Sequence, residues 1–499
     1  MRKGVACISS SLFLVSKHPM EWFCGAFFRE KGVVMKKNKD MKWLVIGLLL
    51  LIGLCVLLTV LIIVHKIKSE PVMVTKPIVM ENEPVFEATE TKKEQPVSIL
   101  DEDIHVLIKN NDHLYFEELF LQGAGEWYIN EQLIGSGNAM NMIEFMKQKE
   151  ISEASIRSAD GNGSFSIMDK EGNIIKEGYQ GRLEARLYDE AAGYDGGVVL
   201  INVLPLEEYV RFVLPSEMPS YFSYEALKAQ AVCARTLAVK QRANREYEKW
   251  DADLDDSTDY QVFHECETNE LTDQAVKDTE GEVIIYGESP IDCYYYSTSA
   301  GNSNDMSVWF SEELPYIKQK NFTDFRDMDF SDEGLLTTFL SQKPLCYDSD
   351  SPFYRWTATL DFTKVKDEQY GKVKGFSVTK RNTSGYITEI KINYENGACF
   401  LEHEYEIRKF LGQALISLTL ADGSIRDNFM VLPSSCFIVE AKEGKNYELK
   451  GAGFGHGIGM SQYGASKMGE DGLDYKAILS FYYDGAVIQK MDDGIWMKN

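Results

Sequence analysis

The 499-residue sequence predicts an α+β fold: a strand-rich domain with one long buried helix, preceded by a single transmembrane helix. Three observations predict it. Short apolar runs with strand character recur over 101–203, a helical stretch at 223–241 is apolar around its circumference, and an uncharged apolar run occupies 43–64. Composition is that of a globular protein, 44% hydrophobic and 12% aromatic. The net charge of −25, from 77 acidic and 52 basic residues spread along the chain, excludes the clustered basic face of a nucleic-acid binder.

Taken in order, residues 1–34 read as a mis-assigned N-terminal extension. Arg29, Glu30, Lys31 and Gly32 can be encoded by purine-rich codons, as a ribosome-binding site just upstream of Met35 would be, so translation is expected to start at Met35. A cytoplasmic stub, 35–42, leads into the transmembrane helix, 43–64, "WLVIGLLLLIGLCVLLTVLIIV", long enough to cross about 30 Å of hydrocarbon. Lys36, Lys37, Lys39 and Lys42 precede it; His65, Lys66 and Lys68 follow. That excess favours a cytoplasmic N-terminus, in a single-pass protein of the cell membrane whose main domain is extracytoplasmic. A cleaved signal peptide is the rival reading, but the run exceeds a usual apolar region of about 7 to 15 residues and no small-x-small site follows. Proline and charge in 65–100 fit a linker, and 101–499 is one large domain.

Inside that domain "IHVLIK" and "GVVLINVLP" read as strands, and "GSFSIMDKEGNIIKEGY" as a hairpin turning at Glu171 and Gly172. "GEVIIYG" and "IDCYYYSTSAG" read as two more strands, with a short helix near 405–411 and a last one at "YKAILSFYY". Cys233, Cys266, Cys293, Cys346, Cys399 and Cys436 show no C-x-x-C spacing, and no pairing is expected. Cys233 reads as a small core residue.

Three stretches carry chemistry. In "PSEMPSYFSYEALKAQAVCARTLAVKQ" (215–241) Ser223 is a helix N-cap candidate. Lys228 and Arg235, seven residues apart, fall within about 20° of each other around the helix. A guanidinium in such a helix needs a fixed partner, and Glu217, just before the helix between Pro215 and Pro219, is the nearest candidate. A structural ion pair and a functional carboxylate both remain open. "GAGFGHGIGMSQYGA" (451–465) sets glycine at 451, 453, 455, 457 and 459, baring one face so that a ligand or another backbone can come close. It is either a cleft wall, with His456, Ser461 and Gln462 as donors and acceptors, or a tight β-arc. "YYYSTSAGN" (294–302), with Ser297, ends a strand in hydroxyls and glycine, as the lip of a polar cleft does. H-E-x-x-H, G-x-S-x-G and P-loop motifs are absent, and neither His264-Glu265 nor His403-Glu404 has a second histidine at helical spacing. No metal and no cofactor are therefore expected.

In this order, "LPLEEYVRFVLPSEMP…EALKAQAVCARTLAV", "GEVIIYG…IDCYYYSTSAGN" and "GAGFGHGIGMSQYGA…YKAILSFYY" resemble the stage II sporulation protein D family of bacterial cell-wall proteins. The resemblance implies that 101–499 is the catalytic domain of a membrane-anchored lytic transglycosylase acting during engulfment in spore formation. Such an enzyme cuts peptidoglycan between N-acetylmuramic acid and N-acetylglucosamine, on strands stripped of stem peptides, and leaves a 1,6-anhydro end. The glutamate of the E-M-P motif, Glu217, is then the catalytic acid and base, with Lys228, Gln230, Arg235, Ser297, His456, Ser461 and Gln462 binding the substrate. One carboxylate serves twice, whereas a hydrolase needs two. Burial would raise the pKa of Glu217 and the neighbouring cations would lower it. Implied partners are glycan strands, a cell-wall amidase and a further membrane protein of the engulfment complex, and no nucleic acid. The alternative is a non-catalytic, glycan-binding enhancer of an amidase. Two departures from the family pattern matter. Where some members bind zinc through a His-Cys pair before Gln-Val-Tyr, "STDYQVF" has Asp259 and Tyr260, so zinc is not expected; and Asn302 replaces a glycine.

Overall fold

Apolar residues of Asp103–Ile108 and the mostly apolar Gly197–Pro205 pair antiparallel, Ile104 opposite Leu204 and Leu107 opposite Ile201. The computed structural model describes residues 103–491, apart from 111–112, 189–196, 245–246, 258–260, 262, 264–267, 310, 326–327 and 427–428. The expected extension, stub, transmembrane helix and linker, and Asp259, Tyr260 and Cys266, lie outside the described residues. Among the described residues no helix is long and apolar enough to cross a membrane.

The fold is α+β and strand-rich. The first strand pair sits in a seven-stranded sheet that runs Leu254–Asp255, Asp103–Ile108, Gly197–Pro205, Arg182–Tyr188, Glu153–Ser158, Trp127–Ile129 and Gln132–Ile134. The expected hairpin forms from Phe165–Met168 and Ile174–Tyr179, with Gly172 at φ 84° in its turn. Eight α-helices are described: α1 (Met142–Lys149), α2 (Leu206–Glu217), α3 (Tyr224–Asn244), α4 (Glu270–Asp278), α5 (Glu333–Gln342), α6 (Glu404–Gly412), α7 (Gln462–Glu470) and α8 (Tyr475–Tyr482).

Helix α3 is the expected buried rod. Every residue from 229 to 239 is buried, against α2, α4, α7, α8 and the strand Glu282–Tyr286. An all-round apolar surface has a helical or sheet neighbour on each side, which is why a period of 3.6 is hard to see in it. Ser223 begins it, its Oγ accepting from Ala226 N at 3.4 Å.

Helix α2 adds to the sequence reading, which set Glu217 just before α3 between Pro215 and Pro219 and assigned no helix there. Pro215 withholds the donor that would meet Arg211 O, yet the turn continues past it: Ser216 Oγ donates to Phe212 O at 3.0 Å and Met218 N to Leu214 O at 2.9 Å. Glu217 is thus the final residue of a helix instead of part of a loop.

A second apolar core gathers Trp356, Phe362, Phe376 and Tyr447 between a five-stranded sheet, Ile425–Arg426, Leu415–Leu420, Trp356–Asp361, Asn446–Gly451 and Phe437–Glu443, and a four-stranded one, Lys366–Asp367, Gly371–Arg381, Ile387–Tyr394 and Gly397–Glu402. Helix α6 packs on Ile387–Tyr394. The five described cysteines, Cys233, Cys293, Cys346, Cys399 and Cys436, carry no disulfide.

Candidate active site

Glu217 opens into a cleft of about 640 Å³. The C-terminal turn of α2 carries it, half-buried, to one wall. Leu237 and Gln241 of α3, Tyr294 to Ser297, Phe454 to His456, and Gln462 at the first turn of α7 line the same cleft. The three sequence blocks therefore meet around one carboxylate.

The glycine arc explains how. Gly453, Gly455, Gly457 and Gly459 all take positive φ, 78°, 110°, 80° and 78°, a region that costs other residues free energy. A Cβ at Gly455 would lie 2.7 Å from Tyr296 Cβ, and one at Gly453 2.9 Å from Thr298 O. At Gly453, Gly455 and Gly459 the bared face thus receives residues 294–300, and at Gly457 the side chains of Tyr386 and Asn304, while Phe454, Gly455 and His456 still line the cleft. Phe454 and Thr298 exchange backbone bonds at 2.8 and 3.0 Å, and the expected strand "IDCYYYSTSAG" shrinks to Tyr295–Tyr296, paired parallel with Met460–Ser461.

Around Glu217 the polar contacts are layered. Gln462 Nε2 donates to the Glu217 carbonyl at 3.1 Å and reaches Gln230 Oε1 at 3.4 Å. The Tyr295 phenol hydrogen-bonds the Glu217 side chain and also donates to Gln261 Oε1 at 3.4 Å. Burial, reinforced by the charge of Glu217, pushes that phenol well above its ordinary pKa, so it stays a protonated donor.

Of the residues singled out in the sequence, Glu217, Ser297, His456 and Gln462 line the cleft. Four do not. Arg235 is fully buried and pairs through two nitrogens with Glu207, at 2.6 and 2.7 Å, while donating to the carbonyls of Glu282 and Val276. Four of its five N–H groups are thus engaged, all within the protein, and they tie α3 to α2 and to the 276–282 segment. Lys228 lies 2.6 Å from Glu225 and over the rings of Tyr224 and Tyr475. Each cation has its own carboxylate, so the expected pull on Glu217 is answered elsewhere. Gln230 stands buried behind Gln462, with Nε2 meeting no acceptor among the described residues. Ser461 is buried as the N-cap of α7, accepting from Gly464 N at 3.3 Å and donating to Asp348. Asp348 also accepts from Ser299 N and Oγ at 2.8 and 2.7 Å, which ties the 297–301 lip to α7; burial raises its carboxyl pKa against the pull of those donors.

His456 lines the cleft in a different role from the one expected. Its Nδ1 accepts from Ile458 N at 3.1 Å, which leaves Nε2 as the protonated nitrogen, 3.0 Å from Tyr295 O. Both nitrogens are engaged within the protein, and burial draws the pKa down to about 4. A neutral ring, tilted against Trp309 with centroids 4.9 Å apart, forms part of the wall.

Sequence reasoning missed Tyr295, Trp309, Glu404, Tyr405 and Arg408, all on the cleft. Glu404 and Arg408 sit four apart, the spacing of an ordinary solvated helix pair, and only burial, 2% and 7% exposed, distinguishes them. Among the described residues no group of three or more His, Cys, Asp or Glu is placed to hold a metal.

Residues 194–286, which carry Glu217 and α3, match the family model described as stage II sporulation protein. A domain of unknown function matches 303–421 and 416–459, which include α6 and much of the glycine arc. The chain is 29% identical to stage II sporulation protein D of Bacillus subtilis (strain 168) over 310 residues, 58% of this chain and 76% of that protein. It is 28% identical to the amidase enhancer of the same organism over 297 residues, 55% of this chain but only 39% of that protein. An uncharacterized protein of Brachyspira hyodysenteriae is 29% identical over 301 residues, 59% of this chain and 69% of the relative. With these matches laid over the helix that ends in Glu217 and the helix it packs on, residues 194–286 match the stage II sporulation protein family, and over more than half its length the chain is similar to stage II sporulation protein D.

Proposed function

We propose that the protein is a membrane-anchored lytic transglycosylase that cuts peptidoglycan glycan strands at the bond from N-acetylmuramic acid to N-acetylglucosamine, in engulfment during spore formation. The observation that carries the reading is Glu217 at a helix end, half-buried, in a cleft large enough for a short saccharide and walled by Tyr294, Trp309 and Tyr405. As acid, the Glu217 carboxyl protonates the glycosidic oxygen; as base, it then takes the proton of the sugar's own C6 hydroxyl, which closes the 1,6-anhydro ring. The other carboxylate of the cleft, Glu404, is bound to Arg408 Nη1 at 3.2 Å and almost fully buried. That favours a one-carboxylate reaction over a hydrolase, in which a second carboxylate must be free to activate water or attack the sugar.

One relative is named an amidase enhancer, which favours a second reading: a glycan-binding module that assists an amidase without cutting. An amidase is a partner under either reading. Mass spectrometry of the fragments released from amidase-treated peptidoglycan separates the possibilities. The lytic reading predicts 1,6-anhydro ends; ordinary reducing ends would indicate a hydrolase, and no release a binding module.

A further inference from the structure

Arg408 is the feature of the cleft that the proposed reaction does not use. Among the described residues that line the cleft it is the only cation, since His456 is held neutral. Its side chain is 9% exposed. Nε donates to Leu432 O at 2.8 Å and Nη1 to the Glu404 carboxylate at 3.2 and 3.5 Å. Nη2 meets no acceptor among the described residues and is not a buried orphan, so it is the nitrogen left to a ligand. The guanidinium is also rigid, fixed by Glu404 one turn away and by the 429–432 segment, whose Met430 carbonyl packs against Gly412 at the end of α6. Glu404 already answers the charge through Nη1, so what the guanidinium has to offer is the open Nη2 edge of its planar fork, which suits a second carboxylate.

The chemistry of the proposed substrate names that anion. In intact peptidoglycan the lactyl group of N-acetylmuramic acid is an amide to the stem peptide, neutral at that position. Amidase action hydrolyses the amide and leaves a lactyl carboxylate on the glycan. We infer that Arg408 Nη2 binds this freed carboxylate, making α6 the element that distinguishes peptide-free muramyl sugars from peptide-bearing ones. The inference rests on the proposed function in taking a glycan as ligand. It extends that function by assigning the selection to a helix within the domain of unknown function, outside the match at 194–286. Arg408 is then a specificity-determining residue and Glu217 the catalytic one. Glu404 plays two parts, holding the guanidinium in place and competing for it.

The test is binding, read without turnover in the full chain carrying Glu217→Gln. Calorimetric titrations compare a GlcNAc–MurNAc tetrasaccharide with free lactyl carboxylates against the same glycan capped as lactyl methylamides. The free acid is expected to bind about tenfold or more tightly, the worth of one charge-assisted bond, with the advantage shrinking as salt is raised. Arg408→Gln is expected to bring the two affinities together by weakening the acid and sparing the amide. Equal affinities before that substitution, or a preference that survives it, would overturn the inference. Should Arg408→Gln fail to fold, Glu404→Gln decides: removing the competing carboxylate should widen the preference, and an unchanged or narrower one contradicts it. These titrations do not depend on bond cleavage. A chain that discriminates but releases no anhydro ends would lose the lytic reading and keep this one.

Discussion

Buried Arg235 shows why residue type and helical phase did not suffice to assign roles. Phase put Lys228 and Arg235 on one face correctly, but the choice of carboxylate depended on α2, a helix that proline had concealed. Glu207 at its first turn, not Glu217 at its last, meets the guanidinium. Arg235→Met should therefore cost about 3 kcal/mol in urea unfolding, the penalty for breaking a buried pair, with KM for glycan unchanged; a raised KM at full stability would return Arg235 to the cleft. His456 adds a pH dependence. Because burial lowers its folded pKa from 6.5 to about 4, the unfolded chain takes up a proton first as the pH falls. Its contribution to stability is complete above about 6.5 and drains away toward about 4. His456→Gln should flatten the wild-type loss of urea midpoint across that window, and identical profiles would remove His456 as the source.

At the level of elements, the hairpin was legible from its turn residues, the first strands from their short apolar runs, and α3 from an apolar surface that continues around its circumference. The glycine arc was legible only as an unusual pattern. Spacing revealed that side chains had to be absent, but the occupant of the bared face was set by a segment more than a hundred residues away, and that segment is protein. Gly455→Ala should destabilise by about 1–3 kcal/mol from backbone conformation alone, and more from overlap with Tyr296. A thermal scan showing an unchanged midpoint would mean that the arc does not clamp the 294–300 strand. Ser461→Ala removes a helix cap, worth about 1 kcal/mol, together with one donor to buried Asp348. It should thus cost more than a cap alone while leaving affinity for the glycan near that of wild type, whereas a pure binding defect would make Ser461 a ligand contact.

Across the whole molecule, three blocks distant in sequence converge on one carboxylate, and it is their order that carried the resemblance. The second core was not legible. Its short helix was visible near 405–411, but nothing local tells α6 to turn Glu404, Tyr405 and Arg408 toward a carboxylate on α2. The cleft is thus built by two apolar cores, and the residues that chain separation hid are those contributed by the second. The central claim remains that Glu217 transfers the proton. Wild-type and Glu217→Gln protein should be incubated side by side with amidase-treated peptidoglycan, and anhydro-terminated fragments counted. The account predicts a fall of about a hundredfold or more with an unchanged melting temperature; equal release from the two proteins would contradict it.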